Sequence, residues 1–333
     1  MQRMAGARQN AYSTVMKAAP PTTAILLATR NGAPFLQAQL DSIAAQRAVP
    51  WRLIASDDGS TDDTISLLEG FAQRFPGKVT VLAGPRQGAS ANFLHLISHV
   101  APGEALAFCD QDDVWLEDKL ARAWARLTTA QGPALYGAST LISDAALRPQ
   151  KVSRRFARPL RLENVLVQVP FGGNTMLANP AAVALLQQGA TQAAALGVVS
   201  HDWWTALVVS ACGGALLRDE DPVLLYRQHD GNEVGRNDTL RGMAARFAML
   251  TNGRFGGWMA RNLAALRAYE CLVPARNRAM LGQLTAALAQ PGPVAAWRLW
   301  QLGLYRQTRS GSAALFLAAA LGAMRVRAEN RRD

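Results

Sequence analysis

Short apolar segments alternate with helical segments along residues 22–128, and this alternation constrains the fold more than any other feature. Residues 22–29 form a continuous apolar, β-rich run, which is typical of a strand that is buried on both faces. Further strands are predicted at residues 51–56, 79–82 and 105–109, and amphipathic helices at residues 34–46, 63–75, 89–100 and 115–128. Strands and helices that alternate in this way predict βαβ units and a largely parallel sheet. In the last helix, Lys119, Arg122 and Arg126 are expected on the exposed face.

The alternation becomes less regular after residue 131. The strands predicted there are residues 134–142, 174–178 and 223–226, and the helices lie near residues 180–188 and 202–211. The basic segment 148–161 contains no acid and has prolines near both ends, which predicts a mobile loop. From residue 239 onward the pattern is helical only. We therefore expect a polar leader over 1–20, an α/β domain over 21–235 and an Arg-rich helical region over 236–333.

The formal net charge of +11 is confined to the C-terminal region. Residues 1–235 contain 20 Lys and Arg against 20 acids, whereas residues 236–333 contain 15 Arg, no Lys and 4 acids. A nucleic-acid-binding domain carries its own basic surface, so the neutral α/β region argues against nucleic acid as a partner. The Arg-rich region permits two interpretations. Its helices pack on the α/β domain with Arg exposed, or they rest on an anionic membrane through Arg together with Trp258, Trp297, Trp300 and Tyr305.

Cysteine usage and hydropathy indicate the cellular compartment. Cys109, Cys212 and Cys271 are far apart and form no CxxC pair, which argues against a disulfide framework and favours a reducing compartment. The first 21 residues contain no apolar run of signal-peptide length, and the longest apolar stretch, residues 313–324, is about half of a bilayer span. We expect a cytoplasmic protein, peripheral on the inner face of the cytoplasmic membrane if the Arg-rich region binds lipid.

Polar clusters follow three of the predicted strands directly. The sequence TRN follows the first strand, DDGSTDD the second and DQDD the fourth. Ligands of an open α/β sheet bind beyond the carboxyl ends of its strands, so the three clusters predict one site. Asp57 and Asp58 are predicted to contact the ligand, whereas Asp62 and Asp63 fit the cap of the following helix.

The triplet Asp110-Gln111-Asp112 is the most informative of these clusters. In an extended chain, residues two apart point the same way, so both carboxylates face one ligand. Two neighbouring carboxylates repel each other unless a cation lies close to them. Mg²⁺ and Mn²⁺ bind carboxylate oxygens and keep positions open for phosphate oxygens. The triplet therefore predicts a divalent metal, Mg²⁺ or Mn²⁺, as cofactor.

Several common motifs are absent from the sequence. No strand is followed by GxGxxG, and the chain contains neither GxxxxGK[ST] nor HExxH, which argues against a usual dinucleotide fold, a P-loop and a zinc protease. Ser200-His201-Asp202 holds the three residue types of a hydrolase triad, but adjacent residues cannot form that geometry.

Seven segments within residues 22–235 form a set of motifs: ATRNGAPFLQAQLDSIAAQ, SDDGSTDDT, GASANF, FCDQDDVWLEDKL, FGGNTMLANP, SHDWW and LYRQHDGNEVG. In the order and the spacing of these motifs, the chain resembles the inverting family 2 glycosyltransferases of the GT-A fold. DQDDVW, HDWW and YRQH are similar, more narrowly, to bacterial rhamnosyltransferase-like members. The resemblance implies an α/β fold with a mostly parallel central sheet flanked by helices, here with a C-terminal helical extension.

The resemblance also implies the residues of the site. Contacts to the nucleotide-sugar are implied for Thr29, Arg30, Asn31, Asp57, Asp58, Asn92, Asp110 and Gln111. Metal binding is implied for Asp112 and for His229, for which a structural hydrogen bond is the alternative. Arg30 stands where the family often has an aromatic residue, so a guanidinium stacks on the base there or pairs with the diphosphate.

The remaining residues concern the acceptor. Asp202 falls where the family keeps its catalytic base, and an N-cap role is the alternative. Gly173 and Asn174 are expected to leave room for the acceptor, and Trp203 to contact it, with core packing as the alternative for Trp203. One base without a second carboxylate nucleophile implies inversion at the anomeric carbon.

The expected reaction moves rhamnose from dTDP-L-rhamnose to a cell-surface glycan or a lipid-linked acceptor, with the metal acting as a Lewis acid on the departing diphosphate. A UDP-hexose is the alternative donor. A nucleotidyltransferase is the enzyme alternative, but TRNGAPF is not the Gly-rich loop with Arg and Lys which that class needs. The alternative without activity is a membrane-docking scaffold built on the same fold.

Overall fold

The computed structural model describes residues 19–229 and 252–325, which contain a nine-stranded sheet and the helices packed around it. The strands are β1 (Thr23–Thr29), β2 (Trp51–Asp57), β3 (Val79–Ala83), β4 (Ala105–Asp110), β5 (Val114–Trp115), β6 (Ala134–Ser143), β7 (Pro149–Val152), β8 (Leu177–Ala178) and β9 (Ala215–Arg227). The helices that precede residue 229 are α1 (Ala33–Ala44), α2 (Thr64–Arg74), α3 (Ala89–Ile97), α4 (Lys119–Leu127), α5 (Leu162–Val165), α6 (Pro180–Ala195) and α7 (His201–Ala211). The C-terminal helices are α8 (Arg254–Leu266), α9 (Ala275–Leu288), α10 (Gly292–Gln301) and α11 (Arg309–Ala320), and 3₁₀ turns lie at Gly173–Thr175 and Arg267–Tyr269.

The sheet is parallel in its first half and mixed in its second half. Its strand order is β3-β2-β1-β4-β8-β6-β9-β5, with β7 paired to β6. Strands β3, β2, β1 and β4 are parallel neighbours, as the sequence predicts. β8 runs antiparallel to both β4 and β6, whereas β6 and β9 are parallel to each other.

Alternate residues of β1 enter two different cores, which shows that helices cover both faces of the sheet. Ala24 and Leu26 belong to one core, and Ile25 and Leu27 belong to the other. Side chains of a strand alternate between the two faces, so only a strand that is buried on both faces reads as a continuous apolar run. The prediction for the first strand is confirmed.

Three predicted elements differ from the structure. The helix expected from residue 115 begins at Lys119, because Trp115 pairs with Leu224 in β5. The strand expected at residues 174–178 is mostly the 3₁₀ turn and the two-residue β8. The mobile loop expected at residues 148–161 contains β7, an exposed strand that pairs with β6.

Two of the three basic side chains expected on the exposed face of α4 are buried. Arg126 is exposed, but Lys119 and Arg122 are 1% and 5% exposed. The Arg122 guanidinium donates to a carboxylate oxygen of Asp219 at 2.7 Å and to the Pro222 carbonyl at 2.8 Å. The expectation was wrong because β9 is longer than predicted and brings an acid against this face of the helix.

The C-terminal helices share a core with the α/β domain. Phe255 and Met259 of α8 lie in the same core as Trp203 and Leu207 of α7. Packing on the α/β domain is therefore confirmed for the described C-terminal residues. The expected domain boundary at residue 235 and residues 1–18 of the leader expected over 1–20 lie outside the described residues.

In residues 19–229 and 252–325, no helix combines the length and the apolar character that crossing a membrane requires.

We expect Arg122→Met to destabilise the fold by about 3 kcal/mol, because it leaves the buried Asp219 carboxylate without its charged partner. Arg47→Met is the matched control: Arg47 pairs with Glu117, and both side chains are 61% exposed. Its cost should stay below about 0.5 kcal/mol. Urea denaturation of the three proteins measures both values. Equal midpoints for the two variants would show that the buried pair contributes no more than the exposed one.

Candidate active site

The carboxyl ends of β1, β2 and β4 lie side by side. Thr29 at the end of β1 is the register partner of Asp57 on β2, and Ala28 is the partner of Asp110 on β4. The polar clusters that follow these strands therefore occupy one edge of the sheet, as predicted.

The carboxylate of Asp57 organises the loop after β2. One oxygen accepts from the backbone N–H groups of Gly59 and Ser60 at 3.0 and 2.7 Å. The other accepts from the hydroxyl groups of Thr29, at 3.0 Å, and Ser60. Thr29 and Asp57 are both buried. In this structure both oxygens of Asp57 therefore accept from protein groups, and Asp57 and Thr29 shape the loop. Their contacts with a ligand stay a prediction.

Beside this loop lies an open cleft of about 270 Å³, lined by Arg30, Asp58, Gly59, Ser60, Thr61 and Arg86. Asp58 accepts from the backbone N–H groups of Arg86 and Gly88 at 2.6 and 2.8 Å, which holds the loop after β3 against the loop after β2. Arg86 has a left-handed backbone with φ of 58°. Sequence reasoning missed Arg86, although it lies three residues beyond β3, where the strand-end rule applies.

Three residues predicted to contact the nucleotide hold the loops in place. Gln111 exchanges two hydrogen bonds with the backbone of Arg30, at 2.9 and 3.1 Å, and so ties the end of β1 to the end of β4. The Asn31 side chain accepts from the backbone N–H of Thr61 at 2.9 Å. Asn92 is 1% exposed and donates to the Ser56 carbonyl at 2.8 Å. The nucleotide contacts expected of these residues stay predictions.

The two predicted metal ligands meet in the structure. His229 Nε2 lies 2.8 Å from an oxygen of Asp112, although 117 positions separate the two residues. The His229 ring stacks on Phe35, with 4.4 Å between ring centroids. Asp110, the first residue of the triplet, ends β4 beside them.

The donor set at this point fits a divalent cation that is shared with a ligand. Among residues 19–229 and 252–325, no group of three or more His, Cys, Asp or Glu gathers closely enough to hold a metal alone. Mg²⁺ commonly takes one or two protein ligands and completes its shell with phosphate oxygens and water. The carboxylate of Asp112 and the imidazole of His229 suit such a site.

Asp113, which sequence reasoning missed, lies fully buried beneath the triplet. It accepts from the Asn174 side-chain amide at 2.6 Å and from the backbone N–H of Arg227 at 3.3 Å. Burial raises the pKa of Asp113 well above its usual value, and the charges of Asp110 and Asp112 raise it further. Asn174 is also buried, and its amide supports Asp113. Its expected place beside the acceptor stays a prediction.

Lys119 and Arg227 complete the support of this region. The Lys119 ammonium lies over the Trp115 ring and donates to the Asn174 carbonyl at 2.6 Å, and burial lowers the pKa of Lys119 to about 7. Arg227 donates to the Asp112 carbonyl at 2.8 Å, and its guanidinium lies over the Phe35 ring. The sequence signals for the two residues are the lysine of DQDDVWLEDK and the arginine of YRQH.

Asp202 lies in the first turn of α7. One of its oxygens accepts from the backbone N–H of Gly173 at 3.3 Å, and the other accepts from the Ser200 hydroxyl and from the backbone N–H of Trp203. The N-cap residue of α7 is Ser200, and Asp202 in the first turn accepts from the same backbone N–H of Trp203 as Ser200 does. Asp202 thus also stabilises the start of the helix, and its role as the base stays a prediction.

Gly173 and Trp203 have packing roles. A side chain at Gly173 would collide with His201 Nε2, so glycine allows this turn to approach the start of α7. Trp203 is 5% exposed, donates from its indole N–H to the Val165 carbonyl at 2.6 Å and stacks on Phe255. Core packing, the alternative for Trp203, therefore describes the observed ring.

His201 is packed between aromatic rings below the same turn. Its ring centroid lies 4.0 Å from that of Phe93 and 4.7 Å from that of Phe108. Burial lowers the pKa of His201 to about 4, which keeps the ring neutral at pH 7.

Comparison with known proteins gives consistent results. Residues 24–181 match the profile of Glycosyl transferase family 2. The chain is 27% identical over 232 residues to dTDP-rhamnosyl transferase RfbG of Shigella flexneri, which covers 68% of this chain and 79% of that protein. It is 23% identical over 134 residues to the UDP-Glc:alpha-D-GlcNAc-diphosphoundecaprenol beta-1,3-glucosyltransferase WfgD of Escherichia coli, covering 39% and 52%.

Among solved structures, S. aureus TarS 1-349 in complex with UDP-GlcNAc matches with a TM-score of 0.51 and 13% identity. The match covers 91% of this chain and 90% of that one. The two chains therefore share their fold.

We expect the neutral His201 ring to make stability depend on pH. The unfolded chain takes up this proton at about pH 6.5, whereas the folded protein takes it up at about pH 4. The stability that the neutral His201 ring contributes to the folded state is therefore complete above about pH 6.5 and is lost as the pH falls towards about 4. Between pH 7.5 and pH 5, the wild-type protein should lose about 2 kcal/mol more stability than His201→Gln.

Urea denaturation at the two pH values measures this difference. His95, whose pKa is also lowered by burial, is present in both proteins and cancels. Equal losses in both proteins would contradict a buried neutral His201.

Proposed function

Because this chain belongs to glycosyl transferase family 2, we propose that it transfers a sugar, with inversion, from a nucleotide-diphospho-sugar to a hydroxyl group of a glycan or lipid-linked acceptor. Its fold is the GT-A fold, with a helical C-terminal region. The observation that carries the proposal is the 2.8 Å contact between His229 and Asp112, which assembles two distant motifs at the acidic end of β4. That the chain is a glycosyltransferase follows from its family. The identities of the donor, the acceptor and the metal are our proposals.

The cleft beside Asp58 is our candidate for the nucleotide. Arg30 and Arg86 bring two guanidinium groups to its walls, and such groups stack on a base or pair with phosphate oxygens. The backbone N–H groups of the loops are held by Asp57 and Asp58, so the cleft is formed before a ligand enters. Binding then costs little reorganisation of the loops.

Asp112 and His229 are the residues that would hold a divalent cation, Mg²⁺ or Mn²⁺. When bound, this ion supplies Lewis-acid neutralisation of the charge on the departing nucleoside diphosphate. Arg227 holds the Asp112 backbone, and Asp113 holds the strand end from below, so the carboxylate of Asp112 is oriented by the protein.

Asp202 is our candidate for the base. In the reaction, the acceptor oxygen forms a bond to the anomeric carbon, and the bond from that carbon to the diphosphate oxygen breaks with its electron pair. The acceptor proton passes to an oxygen of Asp202. The first turn of α7 favours a negative charge at this position, because the unpaired N–H groups of a helix start carry partial positive charge.

For the donor we propose dTDP-L-rhamnose, since the relative from Shigella flexneri is named a dTDP-rhamnosyl transferase. The name of the Escherichia coli relative supports a UDP-hexose as the second candidate. A cytoplasmic location and a cell-surface glycan as final product remain predictions.

We expect dTDP-L-rhamnose to give the largest thermal shift in a panel that also contains UDP-glucose and UDP-N-acetylglucosamine, each with Mn²⁺. In Asp112→Asn, the part of the shift that depends on Mn²⁺ should disappear, because the variant loses a charged ligand of the metal. Asp63→Asn, an exposed acid at the start of α2, is the matched control and should behave as the wild-type protein does. A larger thermal shift with a UDP-sugar would contradict dTDP-L-rhamnose as the donor. Full turnover in the presence of a chelator would contradict the metal assignment.

We expect Asp202→Asn to lower turnover by about 10²–10⁴-fold, because the amide cannot accept the acceptor proton. Donor binding should remain, since the base meets the acceptor and not the nucleotide. Turnover at saturating acceptor and the dissociation constant of the donor measure the two effects, and the melting temperature shows that the fold is intact. Turnover near that of the wild-type protein would mean that another residue is the base.

A further inference from the structure

Two tryptophans lie together on the surface of the C-terminal helices. Trp297 and Trp300 of α10 are 57% and 59% exposed, and their rings stack with 4.9 Å between centroids. Val294, one turn before Trp297, is 42% exposed. Large aromatic side chains rarely have more than half of their surface exposed to water, and a cluster of such exposed side chains is typical of a surface that binds a partner.

The neighbouring helix adds two exposed leucines. Leu317 of α11 and Leu321, one turn later, are 49% and 67% exposed. The end of α11 packs against the start of α10, because Gly292 faces the carbonyl of Ala320. We call the set Val294, Trp297, Trp300, Leu317 and Leu321 the tryptophan face. It holds half of the exposed large apolar residues in the part of the chain that the structure describes.

The segment of sequence that contains the tryptophan face carries one sign of charge. Residues 271–328 contain seven Arg and no Asp or Glu. Arg298, which lies between the two tryptophans in sequence, is exposed, as are Arg309 and Arg325. A partner therefore has to offer apolar groups and negative charge together.

We propose that the tryptophan face binds the surface of a lipid bilayer that contains anionic lipids, with the tryptophan rings at the level of the headgroups and the arginines on lipid phosphates. Tryptophan is favoured at that depth because its indole has an apolar ring and a polar N–H group. Basic residues near an anionic leaflet add electrostatic attraction. A second copy of the chain suits the face poorly, because a two-fold contact brings together two identical patches, whose segment of sequence contains arginines and no acid.

The structure narrows the set of residues that the sequence suggested for this role. Trp258 is half-buried and packs on Phe255. The Tyr305 hydroxyl donates to the Pro159 carbonyl at 2.7 Å, and its ring lies under the Arg158 guanidinium. Both aromatic rings serve internal packing, so the membrane contact falls to Trp297 and Trp300.

The test is co-sedimentation of the full-length chain with phosphatidylcholine vesicles that contain either no anionic lipid or about a third phosphatidylglycerol. We expect binding to the anionic vesicles that weakens as salt rises, because salt screens the arginine contribution. Trp297→Ser with Trp300→Ser should lower the partition coefficient by at least about tenfold. Arg298→Gln should lower it by about fivefold.

Ile65→Ser with Leu196→Ser is the matched control, since these side chains are 41% and 36% exposed on the α/β domain. It should bind vesicles as the wild-type protein does. Circular dichroism and nucleotide binding, which do not depend on lipid, show that each variant is folded. The inference does not rest on the proposed reaction, so a chain that fails to transfer sugar but binds these vesicles leaves it standing.

Absence of binding to anionic vesicles, or equal binding by the tryptophan variant, overturns the proposal. Sedimentation equilibrium tests whether the face binds a second copy of the chain. If the wild-type protein is a dimer that the tryptophan substitutions dissociate, and no vesicle binding is seen, the face serves self-association and the proposal is overturned.

Discussion

The buried carboxylate of Asp113 holds the acidic end of β4 in place, and the site depends on it. The carboxylate accepts from the Asn174 side-chain amide and from the backbone N–H of Arg227. The Asn174 carbonyl in turn accepts from Lys119, and the Arg227 side chain donates to the Asp112 carbonyl. Four separate elements are joined in this way. Removing one member leaves a buried polar group without its partner, which costs about 1–3 kcal/mol and more for a charge. With its backbone held from below, Asp112 meets His229 on the open side.

Polar residues at the sheet edge divide into those that build the loops and those that face the cleft. Asp57 and Gln111 form hydrogen bonds with backbone and hydroxyl groups of the protein, and the Asn92 side-chain amide donates to a backbone carbonyl. Arg30 and Arg86 line the cleft with their side chains. Loops that carry a site need this internal bonding, because their backbone groups have no ladder of sheet or helix to satisfy them.

The C-terminal helices have two faces with different roles. Phe255 and Met259 enter the core that also contains Trp203, so α8 is part of the body of the protein. Trp297 and Trp300 are exposed, and the exposed Arg298 lies between them in the sequence. The region thus has a packing surface that the structure shows and an exposed aromatic surface that we propose as a membrane contact, and the two interpretations of its sequence do not exclude each other.

The sequence by itself determined the alternation of strands and helices, the covered sheet and the strand ends that form the site, because these depend on local periodicity and on the period-two geometry of strands. It also indicated the pair Asp112 and His229, through motifs. Only the tertiary structure decided that Arg122 and Lys119 are buried, that Asp113 supports the triplet and that Trp203 is a core residue. Each of these depends on a contact between residues distant in the chain, such as Arg122 with Asp219 on the long strand β9. The local sequence around a residue does not specify which distant residue will pack against it.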